Sequence, residues 1–224
     1  MDRLPENTQT LVWDLDGTLL DSFGIYEDII QQLFPTHNLP MPPRELMLHN
    51  FHGRIQDSLG ALLGENEVDF KQLLKDFFAI DDAYITDVDA HLFPDALQFS
   101  QRAHEHEMQQ VIVTNRPHGE RRNNGSPRGI VANSALAQTI TQIICGDEVV
   151  ECKPSPAALT GVDFDPATTV VIGDQFVDAQ FAHNLGAKAL WVYRQEGDVP
   201  HLDKMADGWK DHVTIVNSLQ EVTL

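Results

Sequence analysis

Two aspartates separated by one residue follow the first apolar run of the sequence. The run at 11–13 leads directly into DLDGT at 14–18. Because side chains two residues apart on an extended strand point the same way, Asp14 and Asp16 are expected to face one site. One such carboxylate can be a nucleophile that forms an acyl phosphate, and the other a general acid and base. Gly17 lets the chain turn sharply or approach a ligand closely. The alternative is a polar turn after a buried strand.

A second pair of carboxylates, Asp174 and Asp178, follows the apolar run at 170–172. If the chain is helical here, residues four apart share a face, and like charges this close repel unless a cation lies near them. Oxygen ligands beside a phosphate site suit Mg2+. The alternative is a helix start at which acidic residues favour the helix dipole.

Three further polar residues follow apolar runs or precede a helix. Thr114 and Asn115 follow the run at 111–113, where a hydroxyl and an amide could bind phosphate oxygens or simply form a turn. Lys153 precedes Ser155, which can cap a helix. An ammonium there could offset phosphate charge and position a carboxylate, whereas a lone lysine before proline is also common on a surface.

The elements that must position these residues are short apolar runs separated by helical patterns. Most runs are continuous rather than alternating, as in strands that are buried on both faces of a parallel sheet. Strands that alternate with helices predict an α/β fold with helices on both faces of the sheet. The runs lie at 11–13, 111–113, 143–144, 170–172, 189–192 and 213–216.

Residues 21–90 have a different pattern, with two helical stripes and no convincing strand. We therefore predict a helical insert at 21–90 and an α/β core made of 1–20 and 91–224. The stripes are Ile25, Tyr26, Ile29, Ile30 and Leu33, and then Phe70, Leu73, Leu74, Phe77 and Phe78.

Composition excludes several classes of partner. The 224 residues include 15 Lys and Arg against 34 Asp and Glu, a formal net charge of -19. Such a charge argues against nucleic-acid binding and against docking on anionic membranes. Two cysteines form no disulfide framework, and the polar start MDRLPENTQT lacks the apolar stretch of a signal peptide. We expect a soluble cytoplasmic protein.

Taken together, the motifs resemble those of the haloacid dehalogenase superfamily of phosphohydrolases. LVWDLDGTLLDS looks like the first motif of the family, VIVTN the second, KPSP the third and VIGDQFVDA the fourth. The first and fourth are specific, and the resemblance covers the whole chain. It implies a Rossmann-like parallel core with a small α-helical cap at 21–90, as in phosphoglycolate phosphatase-like and β-phosphoglucomutase-like members.

The resemblance also implies catalytic roles. Asp14 would be the nucleophile that forms a phosphoaspartyl intermediate. Asp16 would protonate the leaving oxygen and then activate water. Thr114 would bind the transferring phosphoryl group with Asn115 beside it, and Lys153 would neutralise charge.

A magnesium site is implied in the same way. Mg2+ would be held by Asp14, the backbone carbonyl of Asp16, and Asp174. Asp178 would orient metal-bound water or Lys153.

Two segments are candidates for substrate recognition. The stretch at 51–59 resembles the substrate-specificity loop of the cap, where His52, Gly53 and Arg54 would meet the leaving group. The alternative is a linker between two helices. The window 116–128 holds four of the 15 basic residues. It is either a solvated surface loop or an anion-attracting rim beside the site.

The predicted function is a Mg2+-dependent phosphatase that acts on a small phosphorylated metabolite. One alternative is a sugar phosphomutase, which would be expected to show a lysine and a differently spaced arginine in the cap. The other is a non-catalytic phosphate-binding regulatory protein, which would be expected to lack a catalytic carboxylate. The sequence makes no prediction about oligomeric state.

Overall fold

The computed structural model describes the protein over four ranges, 2–51, 55–119, 125–194 and 210–224. Some candidates of the sequence analysis lie outside these ranges: His52, Gly53, Arg54, Arg121 and Arg122.

The chain divides into two compact units. One comprises Met1–Leu20 together with Leu92–Leu224, and the other comprises Asp21–His91. Within the described ranges, no helix has the length and apolar character needed to cross a membrane.

The discontinuous unit is built on a six-stranded sheet in the order β4-β3-β2-β5-β6-β7, with every neighbouring pair parallel. A two-residue pair, β1 with β8, lies apart from it. The predicted parallel α/β sheet is therefore confirmed. The strands are β1 (Asp2–Arg3), β2 (Thr10–Trp13), β3 (Gln109–Val113), β4 (Gln142–Ile144), β5 (Thr169–Gly173), β6 (Lys188–Val192), β7 (Val213–Val216) and β8 (Val222–Thr223).

The seven α-helices of the described residues are α1 (Ser22–Thr36), α2 (Arg44–Asn50), α3 (Ile55–Leu63), α4 (Phe70–Tyr84), α5 (Pro94–Glu105), α6 (Pro127–Ala132) and α7 (Phe176–Leu185). The first four belong to the unit Asp21–His91.

Helices of the discontinuous unit cover both faces of the sheet. Trp13 of β2 meets Phe99 of α5 edge to face, with ring centroids 5.9 Å apart. The preceding residue, Val12, lies in the buried cluster that contains Phe181 of α7. Because adjacent strand residues point to opposite faces, α5 and α7 cover opposite sides.

The order of the strands places the catalytic candidates. Strand β2 lies between β3 and β5. From β2 the strands follow in chain order to one side as β3 and β4, and to the other side as β5, β6 and β7, so the order of strand addition reverses at β2. Ligands of open α/β sheets bind outside the carboxyl ends of the strands at such a reversal. The residues that follow β2, β3 and β5 therefore share one edge of the sheet.

The unit Asp21–His91 is helical, and none of its described residues lies in a strand. Helix α1 is capped at its N-terminus by Asp21, whose carboxylate accepts a hydrogen bond from Gly24 N at 2.8 Å. Its apolar stripe is buried at Tyr26, Ile29 and neighbouring positions, as the 3.6-residue period predicts. Helix α4 contributes Leu73 and Phe77 to the same core.

Candidate active site

The carboxyl ends of the central strands fix the first site residues through the backbone. Asp14 N continues the ladder beyond β2 and donates to Ile172 O at 2.8 Å. Thr114 N donates to Ile144 O at 3.0 Å in the same way beyond β3. These residues still belong to the rigid sheet although they stand at its end, so their side chains start from fixed positions.

Lys153 lies buried between two of the predicted carboxylates. Its Nζ donates to Asp14 Oδ1 at 2.6 Å and to Asp178 Oδ1 at 2.7 Å. The side chains of Lys153 and Asp178 are each 3% exposed. Although burial opposes the charge, the carboxylates of Asp14 and Asp178 raise the pKa of Lys153 above its ordinary value. The lysine is therefore a permanent cation in this cluster.

The carboxylate of Asp174 lies close to the two carboxylates that contact Lys153. Asp14, Asp174 and Asp178 each offer an oxygen, and these oxygens all lie within 4.8 Å of one another. Burial, opposed by Lys153 and supported by the charge of Asp178, raises the pKa of Asp14 to about 7. Burial and the charges of Asp14 and Asp178 raise the pKa of Asp174 well above its ordinary value.

This donor set fits a divalent cation. One ammonium balances only one of the three carboxylates, so two negative charges remain to be compensated in a largely buried site. The raised pKa values of Asp14 and Asp174 reflect this uncompensated negative charge, because protonation would reduce it. A bound divalent cation can compensate the same charge in place of the protons. All candidate ligand atoms are oxygens, the type that Mg2+ prefers.

Two glycines allow the carboxylates to approach the backbone. Gly17 has a φ of +81°, and a Cβ built on it would lie 2.3 Å from Asp174 Oδ2. A Cβ on Gly173 would lie 2.2 Å from Asp178 Cγ. The sharp turn expected at Gly17 is present, and the group that approaches it is the side chain of Asp174.

Asp16 lies outside the lysine cluster and pairs with an arginine. Arg116 Nη2 lies 2.5 Å from Asp16 Oδ1, and both side chains are about 30% exposed. The backbone of Arg116 is fixed at both ends, because its N–H donates to Thr114 Oγ1 and its C=O accepts from Gly146 N, each at 3.0 Å. From the sequence, Arg116 is recognisable only as part of the basic window 116–128. Its position directly after the Thr-Asn pair was the available signal.

The side chains of Thr114 and Asn115 have partners within the protein. Thr114 Oγ1 accepts the Arg116 N–H, and the residue is only 3% exposed. Asn115 Nδ2 donates to Lys153 O at 3.1 Å, and its Oδ1 accepts from Lys153 N at 3.0 Å. These two hydrogen bonds fix the backbone of Lys153. Contact of either residue with phosphate stays a prediction.

The described part of the basic window is tied to the loop after β4. Asp147 accepts hydrogen bonds from His118 N at 2.6 Å and from Gly119 N at 3.1 Å. Arg128 forms an ion pair with Glu148 and donates to Ile143 O at 3.0 Å. These contacts give Arg128 a role in fixing this loop.

A family model described as haloacid dehalogenase-like hydrolase matches residues 11–192 of the chain. The N-acetylmuramic acid 6-phosphate phosphatase of Pseudomonas putida is 25% identical over 192 residues, which are 82% of each chain.

Solved structures share the fold. A predicted phosphoglycolate phosphatase from Haemophilus somnus 129pt superposes with a TM-score of 0.72 at 19% identity, with 96% of each chain covered. A HAD hydrolase from Bacillus subtilis bound to magnesium superposes with a TM-score of 0.70 at 17% identity, again with 96% of each chain covered.

Proposed function

Since the chain belongs to the haloacid dehalogenase-like hydrolase family, we propose that it is a Mg2+-dependent phosphatase that acts on a small phosphorylated metabolite. The observation that carries this proposal is the Lys153 ammonium held between Asp14 and Asp178 with the Asp174 carboxylate beside them. Phosphoryl transfer needs little besides positioning and charge stabilisation, and this cluster supplies both.

In the proposed reaction, Asp14 attacks phosphorus and Asp16 serves the leaving group. A bond forms between the Asp14 carboxylate and phosphorus while the bond from phosphorus to the ester oxygen breaks, and Asp16 gives that oxygen a proton. Asp16 then takes a proton from water while the water oxygen bonds to phosphorus and the bond from phosphorus to the Asp14 oxygen breaks. Inorganic phosphate leaves, and both carboxylates return to their starting state.

Mg2+ would be held by Asp14, Asp174 and the backbone carbonyl of Asp16. When bound, it supplies charge stabilisation for the transferring phosphoryl group. Lys153 supplies a second positive charge. Its ammonium is held by Asp178 and donates to Asp14, so it also keeps the Asp14 carboxylate in place. Thr114 provides a hydroxyl near the phosphoryl oxygens.

The relatives support a small phosphorylated substrate. The Pseudomonas putida relative is named for a sugar phosphate, and we propose a phosphosugar or a comparably small phosphate ester here. His52, Gly53 and Arg54 are the proposed contacts to its leaving group. We place this activity in the cytoplasm, where Cys145 and Cys152 would remain the free thiols that they are in the structure.

Release of inorganic phosphate from a panel of phosphorylated metabolites tests the proposal. A phosphatase releases phosphate with Mg2+ present, whereas a phosphomutase returns an isomeric phosphate ester and a binding protein returns the substrate unchanged. Analysis of each product by 31P NMR separates these outcomes. A panel in which every ester is isomerised or unchanged would contradict the proposed activity.

Chelation of Mg2+ is expected to stop turnover, and the Mg2+ requirement should depend on pH. Because the pKa of Asp14 is raised to about 7, a proton competes with the cation for this carboxylate below neutral pH. The Mg2+ concentration that gives half-maximal rate should therefore rise as pH falls from 8 to 6. Rates measured against Mg2+ at several pH values check this, and a rate that survives chelation would contradict the metal requirement.

Asp16→Asn is expected to separate good leaving groups from poor ones. p-Nitrophenolate leaves without a proton, so the variant should release one burst of it per active site and then stall, because water lacks its base. An alkyl phosphate needs the acid as well, so it should show no burst and a rate about 10²–10⁴-fold lower. Stopped-flow absorbance and phosphate release measure the two substrates.

Arg116→Met should show the same pattern in weaker form, because it removes the contact that holds the Asp16 side chain in one position. The matched control is Arg102→Met, whose guanidinium lies over Phe99 on α5. A p-nitrophenolate release by Asp16→Asn that shows no burst, or that continues at the rate of the unchanged protein, would contradict the role of Asp16 as acid and base.

A further inference from the structure

We propose that Trp191 and Arg194, at the end of β6, are positioning residues that orient Asp174 toward a divalent cation. The inference rests on the proposed function and deepens it, because it assigns residues that control the metal site without touching the metal. It starts from how Asp174 is held. Lys153 donates to Asp14 and Asp178, whereas the Asp174 carboxylate accepts its hydrogen bond from the hydroxyl of Thr18.

Trp191 holds the backbone of Asp174. Strands β5 and β6 are paired so that Trp191 lies opposite Gly173. One residue later the chain leaves the sheet, and the Trp191 indole Nε1 donates to Asp174 O at 2.8 Å. Trp191 is 6% exposed and packs beside Phe176. At Asp174, the first residue beyond the β5–β6 pairing, the indole N–H of Trp191 thus takes the place of a backbone hydrogen bond. This contact fixes the backbone from which the Asp174 side chain starts.

Thr18 holds the carboxylate of Asp174 from the other side. Its Oγ1 donates to Asp174 Oδ1 at 3.1 Å, and the residue is fully buried. The carbonyl of Thr18 in turn accepts a hydrogen bond from Arg194 Nη2 at 3.3 Å. Arg194 therefore reaches Asp174 through one intervening residue.

Arg194 is itself rigidly placed. Its guanidinium forks onto Asp95, with Nη1 3.1 Å from Oδ2 and Nη2 2.9 Å from Oδ1. It also lies 3.9 Å over the ring of Phe93. Asp95 additionally accepts hydrogen bonds from Ser218 Oγ at 2.7 Å and Leu219 N at 2.9 Å. A charged fork that is held by so many partners cannot follow Thr18 if Thr18 moves, so it anchors the loop after β2.

The affinity for Mg2+ should depend on how firmly Asp174 is held. Mg2+ demands near-ideal octahedral geometry, and residues that orient metal ligands typically change metal affinity by about 10–100-fold. Without a cation, the like charges of Asp14 and Asp178 repel Asp174. The contacts of Trp191 and Thr18 oppose that repulsion and keep the ligand in place before the cation arrives.

Calorimetric titration of the full-length protein with Mg2+ alone tests the proposal. Trp191→Phe keeps most of the apolar volume and removes the indole N–H, so the Kd for Mg2+ should rise about 10-fold. Arg194→Lys keeps a cation beside Asp95 but lacks the fork that reaches Thr18 as well. It should raise the Kd in the same direction by a smaller factor, and any fall in the Tm of the metal-free protein is compared with that of the control variant described next.

Trp13→Phe is the matched control. Trp13 is a fully buried tryptophan of the same sheet, and its indole donates to Gln110 Oε1 at 3.0 Å, away from Asp174. Trp13→Phe should lower the Tm as Trp191→Phe does and leave the Kd for Mg2+ unchanged. Equal weakening of Mg2+ binding by Trp13→Phe and Trp191→Phe would show a general effect of destabilisation and overturn the inference.

The remaining outcomes separate this inference from the proposed function. Unchanged Mg2+ affinity in both Trp191→Phe and Arg194→Lys overturns the positioning role alone. Absence of saturable Mg2+ binding by the unchanged protein overturns the proposed metal dependence together with it. Should Trp191→Phe fail to fold, the Arg194→Lys titration decides the matter.

Discussion

Asp14→Asn should lower the turnover of p-nitrophenyl phosphate by at least about 1,000-fold, because an amide cannot attack phosphorus and no other described carboxylate occupies its place. The carboxylate of Asp14 is held in a fixed position, so another group cannot easily take over its role. The Asp14 backbone is fixed to β5 through Ile172 O, and its side chain is oriented by Lys153. The amide introduced by this substitution keeps a carbonyl oxygen for the lysine, so the substituted protein should remain folded.

The experiment compares kcat with the free energy of unfolding. Asp163→Asn, at an exposed aspartate of the same unit, is the control and should leave both quantities unchanged. Mass spectrometry after rapid quench should show a phosphorylated peptide containing residue 14 in the unchanged protein and none in Asp14→Asn. Turnover near that of the unchanged protein would contradict the assignment of Asp14 as nucleophile.

Most of the architecture could be predicted because strand burial leaves a direct trace in the sequence. The continuous apolar runs at 111–113, 170–172 and 189–192 are strands buried on both faces. β1 and β8 were not predicted, because two residues carry no periodicity. The helix expected after Ser155 is only a four-residue 3-10 helix, Pro156–Leu159, although Ser155 caps it as expected. Capping residues mark where a helix begins and say little about its length.

The closeness of the candidate residues to one another could be predicted because it follows from topology. Parallel strands end at one edge, so polar residues after β2, β3 and β5 must be neighbours however far apart they are in the chain. Side-chain direction leaves no such trace. The pair of Asp16 with Arg116 joins residues 100 positions apart, and the reach of Trp191 to Asp174 depends on strand order and rotamer together. Neither periodicity nor capping encodes these contacts.

Lys153→Met is expected to lower the free energy of unfolding by about 3–5 kcal/mol and to abolish turnover. Removing one partner of a buried ion pair leaves uncompensated charge, which costs about that amount. Here a single substitution leaves two carboxylates without their cation, since Lys153 contacts both Asp14 and Asp178. Urea unfolding in metal-free buffer measures the effect. Lys188→Met, at an exposed lysine whose Nζ donates to Asp211 O, is the control and should change stability by less than about 0.5 kcal/mol.

The loss of stability in Lys153→Met should also depend on pH, and it should be smaller at low pH. The pKa of Asp14 is raised to about 7 even with the lysine present, and removing the lysine removes an interaction that lowers it. At pH 5 Asp14 therefore takes up a proton and no longer buries a charge, so the destabilisation should be smaller at pH 5 than at pH 8. The double variant Lys153→Met/Asp178→Asn should recover part of the lost stability at pH 8, because it removes one of the stranded charges, yet it should recover no activity. A loss that is independent of pH and unaffected by Asp178→Asn would mean that Lys153 stabilises the protein by packing, and the electrostatic account of this site would then be wrong.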